Sequence, residues 1–286
     1  MIFLRNQRKT TIKRATVLKR AVVFLCVWLF SGIFQIFSYA LHAKASVAEE
    51  YKWVKIGYFS TWFNENERGR CENIKLAIAL IDGVTLQPYG EFSFNQTVGK
   101  RTAKAGFKGA KIIQNGEYTM GIGGGVCQVS TTLYNVALLS GLTVTEFHPH
   151  SLAVSYVSPS RDAMVSSNSD FRLYNPYPYS VRICLQAKKG DLLASVYGLN
   201  APKEGRSEYK IFTRVVEEIL PPEAEERFGE KEEILRKAKN GIRSEAYLER
   251  YDKGALVSRK LLRKDKYLPI REIIVKKIED TTKKTS

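Results

Sequence analysis

Apolar and polar positions follow three different patterns along the chain. From Ala21 to Ala43 no Asp, Glu, Lys or Arg interrupts a run rich in Val, Leu, Phe and Ile. About 20 apolar residues, rising 1.5 Å each in a helix, cross the hydrocarbon of a bilayer. No face of this run is polar, as a surface helix requires. Glu72 to Gly83 (ENIKLAIALIDG) instead sets Ile74, Ala77, Ile78 and Ile81 on one helical face, with Gly83 as its stop. Gly121 to Asn135 (GIGGGVCQVSTTLYN) leads into a second apolar helix that should end near Gly141. Between and after these, Tyr51–Phe63, Glu91–Phe94, Ala110–Gln114, Leu142–Phe147, Val154–Val157, Val181–Leu185 and Leu192–Tyr197 read as strands.

Beyond Asn200 the pattern changes. Residues 201–286 hold 22 basic and 17 acidic residues and no cysteine or histidine. Pro221-Pro222 introduces Glu223 to Lys239, which reads as a charged helix. Arg243–Arg250, Leu256–Leu262 and Ile270–Ile278 alternate as strands, with turns at Asp252-Lys253-Gly254 and Pro269. The expected fold class is α+β. A basic tail (1–20) and a single transmembrane helix or signal segment (21–43) lead through a linker (44–70) to a mixed α/β domain (71–200). A smaller charged module, β-rich or α+β, follows at 201–286.

Charge adds a compartment. Lysine plus arginine outnumber aspartate plus glutamate 45 to 29, a net +16 that favours acidic surfaces. Arg5, Arg8, Lys9, Lys13, Arg14, Lys19 and Arg20 flank the apolar run without an acid, which leaves that end in the cytoplasm and exports the rest. An uncleaved anchor and a signal peptide cut after Ala45, in Ala43-Lys44-Ala45, both fit. Either way the expected partners are an anionic cell wall or membrane surface, not nucleic acid. The four cysteines contain no CxxC pair, so zinc-ribbon and thioredoxin-type readings fall away. Cys71 and Cys184 are either a disulfide or two free thiols, and Cys26 lies inside the apolar run.

Two segments carry candidate chemistry. Gly123 to Gly125 permit positive φ and close approach by a ligand. Cys127 follows at a helix N-terminus, whose partial positive charge favours the nucleophilic thiolate. Backbone N–H groups from Gly125 to Gln128 are candidates for an oxyanion hole, with Gly124, Gly125, Gln128 and Ser130 as substrate-binding positions. Thr131 and Thr132 serve as further donors or as caps. In HPHSLAVSYVSPSRDA (148–163), His148 and His150 lie two apart, on one side of an extended backbone. Either can be the base for a cysteine, as in papain-like enzymes. His150 is preferred because it adjoins the following strand. Asp162 can orient the imidazole, and Arg161 can clamp a substrate carboxylate. The bland alternatives are a small buried cysteine, surface histidines and an Arg161–Asp162 turn, or a zinc site from Cys127, His148 and His150.

At these residues the chain resembles the VanW family of bacterial envelope proteins. The likeness runs from about Glu72 to Leu185, through GEFSFNQTVGKRT (90–102), GIGGGVCQVSTTLYN (121–135), HPHSLAVSYVSPSRDA (148–163) and DFRLYNPYPYSVRI (170–183). The family takes its name from a glycopeptide-resistance cluster. The resemblance implies L,D-transpeptidation of peptidoglycan stem peptides, with Cys127 as acyl acceptor, His148 or His150 as base, and no metal or organic cofactor. Ser158-Pro159-Ser160 stands where relatives tend to have glycine directly before the arginine, so a different turn is expected there. The His-Gly-Cys signature of the better-known L,D-transpeptidase fold is absent. Tyr209 to Ile278 weakly resembles a G-five type wall-associated module, with several glycines missing. A non-catalytic wall-binding module and a zinc-dependent hydrolase are the rival functions.

Overall fold

The structure is a computed structural model, and it describes residues 51–277 together with Gln35. The apolar run 21–43, its basic flank and Cys26 lie outside the described residues, among which no helix is long and apolar enough to cross a membrane. In chain order come β1 (Trp53–Trp62), α1 (Arg68–Ile81), β2 (Thr85–Leu86), β3 (Glu91–Ser93), α2 (Phe94–Val98), β4 (Gly109–Gln114) and β5 (Glu117–Ile122). They precede α3 (Val126–Leu139), then β6 (Thr143–Glu146), β7 (Arg172–Tyr174), β8 (Val181–Lys188) and β9 (Asp191–Leu199). The remainder is all strand: β10 (Glu208–Ile219), β11 (Glu225–Gly229), β12 (Glu233–Arg236), β13 (Gly241–Asp252), β14 (Ala255–Tyr267) and β15 (Ile273–Lys277). The described residues are thus mostly β with few helices, less helical than an α+β expectation implied.

An antiparallel sheet in the order β1-β9-β8-β2 backs the first part, with a smaller β3-β7-β6 sheet and the β4-β5 hairpin beside it. Helix α1 buries Ile74, Ala77, Ile78 and Ile81, the face its spacing predicts, and Gly83 follows its C-cap with φ 84°. Helix α3 is different. Val126 and every residue from Gln128 to Leu138 are buried, so it has no solvent face on which its polar side chains could be hydrated.

Those side chains bond to an extended segment, residues 161–165. Asn135 Nδ2 donates to the Arg161 carbonyl at 2.8 Å, and Thr131 Oγ1 accepts from the Ala163 N–H at 2.9 Å. Ser130 Oγ donates to the Ala163 carbonyl at 2.6 Å. At the open end Cys127 Sγ accepts from the Val165 N–H at 3.5 Å and lies 3.4 Å from its carbonyl. The match is geometric: four helical residues rise about 6 Å and two extended residues about 6.6 Å. Positions 127, 131 and 135 therefore meet 165, 163 and 161 in turn.

Two sequence expectations fail. Glu223–Lys239 is not a helix but β11 and β12, which flank β15, parallel on one side and antiparallel on the other. Its charges leave a helix only a thin, Lys231-interrupted apolar stripe to bury, and the segment pairs instead with β15. Val154–Val157 is not a strand, since among the described residues no strand lies beside it to pair with. The Asp252-Lys253-Gly254 turn is as expected: Lys253 and Gly254 take φ 49° and 82°, the left-handed pair of a tight hairpin between β13 and β14.

Thr131→Val keeps the shape of α3 but strands the buried Ala163 N–H without its acceptor. The expected cost is about 1–3 kcal/mol, measured by urea unfolding; a change within error would mean that the helix does not depend on this bond.

Candidate active site

The glycine-rich turn opens α3. Gly123 and Gly125 take φ 87° and 102°, and Gly125 is the N-cap. A Cβ on Gly124 would lie 2.5 Å from the Lys111 carbonyl oxygen, so the turn also packs too closely for a side chain. Within the expected oxyanion hole two donors are already engaged. The Val126 N–H bonds the Gly123 carbonyl at 3.2 Å, and the Gln128 N–H bonds the Gly125 carbonyl at 3.0 Å. Among the described residues no hydrogen-bond acceptor is recorded for the Cys127 N–H. It stays available beside its own thiol.

Cys127, His150 and Asp162 converge. His150 is buried, and its Nδ1 lies 2.7 Å from Asp162 Oδ2, which also accepts the His150 backbone N–H at 2.7 Å. That leaves Nε2 for the Cys127 thiol. Burial works against charge on both partners, but their mutual attraction prevails. Burial pushes the thiol up, while hydrogen bonding and charge from His150, the Val165 N–H and the charge of Arg101 bring it below its ordinary value. Burial pushes the imidazole down, while Asp162 and Cys127 hold its pKa up at about 9. Asp162, likewise opposed by burial, is kept below the usual carboxylate range by His150, Arg263 and Tyr267. Both shifts favour the thiolate–imidazolium form of the pair over two neutral groups.

Other candidates go elsewhere. His148 Nε2 is 3.0 Å from Glu146 Oε1, so the two rings do not share a side: His148 turns toward β6 while His150 turns inward. The zinc reading needed His148 beside Cys127, and among the described residues no cluster of three His, Cys, Asp or Glu could hold a metal. Arg161 does not line the cleft. Its Nε donates to Asn135 Oδ1 at 2.7 Å and its guanidinium lies 4.8 Å from the Phe59 ring centroid, away from the cleft lining. Ser130 is engaged by Ala163. Gln128 does not donate to a ligand either: Nε2 bonds Thr61 Oγ1 at 3.0 Å and the Trp62 carbonyl at 2.8 Å, and Oε1 accepts from Arg70 at 2.6 Å. Ser160 takes φ 61°. It adopts the left-handed shape that glycine enters freely, so the turn before Arg161 is a glycine-type turn despite the serine. Cys71 and Cys184 are both free thiols.

Cys127 and His150 open into a cleft of about 1060 Å³. Arg70, Lys100, Arg101 and Lys111 line it against one carboxylate, Glu67, with Tyr118 and Tyr156 as aromatic walls. Arg101 is steadied by Asn95 Oδ1 at 2.7 Å and the Gly99 carbonyl at 3.0 Å, and forms no ion pair among the described residues. Sequence reasoning missed it although it sits in GEFSFNQTVGKRT; nothing in its spacing linked it to Cys127.

Comparison with known proteins bears on this region. Residues 69–197, which include Cys127, His150 and Asp162, match the family described as VanW like protein. The chain carries a VanW-like domain. Over 144 residues it is 40% identical to the uncharacterized protein YoaR of Bacillus subtilis (strain 168), covering 50% of this chain and 48% of that protein. Over 146 residues it is 25% identical to the vancomycin B-type resistance protein VanW of Enterococcus faecalis (strain ATCC 700802 / V583), covering 49% and 52%. The chain therefore spans about half the length of the curated relatives it matches. A crystal structure of HP0197-G5 is 24% identical over 24% of this chain and 97% of its own, with a TM-score of 0.14 that supports no argument about fold.

The pKa directions fix a pH profile for the VanW-like domain. Measured by intact mass in a Cys71→Ser, Cys184→Ser background, alkylation of Cys127 should set in below the ordinary thiol value of about 8.5. His150→Ala leaves burial dominant and moves the midpoint above that value. His148→Ala leaves it in place. A midpoint indifferent to His150 would break the pairing.

Proposed function

We propose that this cleft is the active site of an extracytoplasmic cysteine acyltransferase that crosslinks peptidoglycan stem peptides by L,D-transpeptidation. The observation that carries the reading is the Asp162–His150 hydrogen bond set behind Cys127, with His150 and Cys127 lining one cationic cleft. The Cys127 thiolate attacks the carbonyl carbon of an amide in the donor stem. The oxygen gathers charge beside the Cys127 N–H. The C–N bond breaks as the His150 imidazolium gives its proton to the departing amine, leaving a thioester and a neutral imidazole. The amine of a second stem then attacks the thioester and His150 takes its proton. The new C–N bond replaces the C–S bond, and thiolate and imidazolium are restored. Asp162 holds the imidazole in register throughout. These steps call on no metal or organic cofactor.

Arg101, not Arg161, is the group we assign to the free carboxylate of the donor stem. It is a half-buried cation near the thiol, and a guanidinium pairs well with a carboxylate. The run 21–43 would hold the enzyme at the outer membrane face, or release it if cut after Ala45. The cationic lining also favours a second reading, a non-catalytic module for anionic wall polymer, in which Cys127 serves only the contact with Val165.

A donor tetrapeptide and an amine acceptor discriminate the two. The enzyme should give a covalent adduct on Cys127 by intact mass and crosslinked product by chromatography, both absent in Cys127→Ala. Arg101→Gln should lower kcat/KM about 10- to 100-fold, the loss of one charge-assisted contact. Crosslinks surviving Cys127→Ala would remove the nucleophile. Salt-sensitive wall binding without any adduct would leave the binding module.

A further inference from the structure

Asp162 is gripped from the side opposite His150 by residues 101 and 105 positions further along the chain. The Tyr267 hydroxyl at the end of β14 donates to Asp162 Oδ1 at 2.5 Å and accepts the Ser160 N–H at 2.7 Å. Arg263, also on β14, donates from Nη1 to the Asp162 carbonyl at 2.6 Å, with Nη2 3.6 Å from Oδ1. Its guanidinium lies 4.5 Å from the Phe147 ring centroid and 5.6 Å from that of Tyr134, and Asp265 takes its Nε at 2.6 Å. A second link runs from β13, where Ser244 Oγ bonds Ser160 Oγ at 2.7 Å.

We propose that the charged C-terminal module is a working part of the active site, in which Tyr267 and Arg263 are positioning residues that fix the Asp162 carboxylate and, through it, His150 and the Cys127 thiolate. The proposal deepens the acyltransferase reading and rests on it for its purpose, though not for its measurement. The reason is satisfaction of a buried charge. Oδ2 is committed to His150, ring and backbone alike. Without Tyr267, Oδ1 would face the interior with only the distant Arg263 Nη2, and a buried carboxylate oxygen without a donor is costly. The carboxyl would then take up a proton more readily, or turn, and lose its hold on Nδ1–H. Ser160, in its left-handed turn just before Arg161, is held by the same hydroxyl, so one side chain fixes both the carboxylate and the backbone that carries it. The charged and titratable groups in reach are few. Asp162 faces His150, Arg263 and Tyr267; Arg263 faces Asp265 and Tyr134; the thiol faces His150, Arg101 and Tyr156.

The test uses the full chain with Cys26→Ser, Cys71→Ser and Cys184→Ser, iodoacetamide as the probe, and the pH midpoint of Cys127 alkylation as the readout. Tyr267→Phe removes only the hydroxyl and should raise the midpoint by about one pH unit. Ser244→Ala breaks the other link at the same junction without touching Asp162 and should leave the midpoint where it is. An unmoved midpoint in Tyr267→Phe, or an equal shift in Ser244→Ala, overturns the proposal. If Tyr267→Phe does not fold, Arg263→Lys and Arg263→Gln report the same coupling. Lysine, which keeps a donor and a charge, should hold the midpoint better than glutamine, and equal midpoints overturn the proposal. A shift in the expected direction from an enzyme that transfers no acyl group supports the positioning role while refuting the acyltransferase.

Discussion

Helix α3 is buried on every side, and its polar side chains are therefore obliged to find partners inside the protein. They find them in the extended segment 161–165, and the near-equality of four helical rises with two extended ones lets Cys127, Thr131 and Asn135 meet Val165, Ala163 and Arg161 together. Much else follows from that seam. Alternation along an extended chain sends the Asp162 side chain away from α3, toward His150 and β14. Cys127 is held at the seam's open end, where the helix N-terminus meets the cleft. One set of hydrogen bonds thus fixes both the Cys127 thiol and the backbone that carries Asp162.

The site places three ionisable groups where burial opposes charge on each of them. Each is nonetheless shifted toward its charged form by its neighbour in the sequence Asp162, His150, Cys127. In a medium that screens little, such an arrangement depends strongly on every member, since removing one leaves its neighbour buried and uncompensated. The Asp162 end is closed by Tyr267 and Arg263, while Arg101 adds positive charge at the thiol end. Around it, the charged side chains lining the cleft are mainly cationic.

The two halves of the described chain are joined at the least replaceable point of the site. Ser160 shows how. A serine in a left-handed turn is strained relative to glycine, and it is retained with both its N–H and its hydroxyl bonded to residues of β13 and β14. A module that reads in sequence as an appended charged tail thereby supplies the hydroxyl nearest the Asp162 carboxylate.

Local pattern alone determined a good part of this protein. The apolar face of α1, the glycine turn that starts α3, the hairpin at Asp252-Lys253-Gly254 and the grouping of Cys127, His150 and Asp162 as candidates all rest on short-range rules: periodicity, positive φ and the chemistry of side-chain types. Tertiary structure decided what those rules cannot reach. His150 rather than His148 faces the thiol because His148 meets Glu146. Arg161 packs on Phe59 while Arg101 enters the cleft. Glu223–Lys239 became strands because β15 offers it backbone pairing, while a heavily charged helix would have had little to bury. Tyr267 reaches Asp162 across 105 residues of chain. The physical reason is common to all four: a side chain's partner is chosen by burial and pairing among distant segments, and spacing along the chain carries no record of that choice.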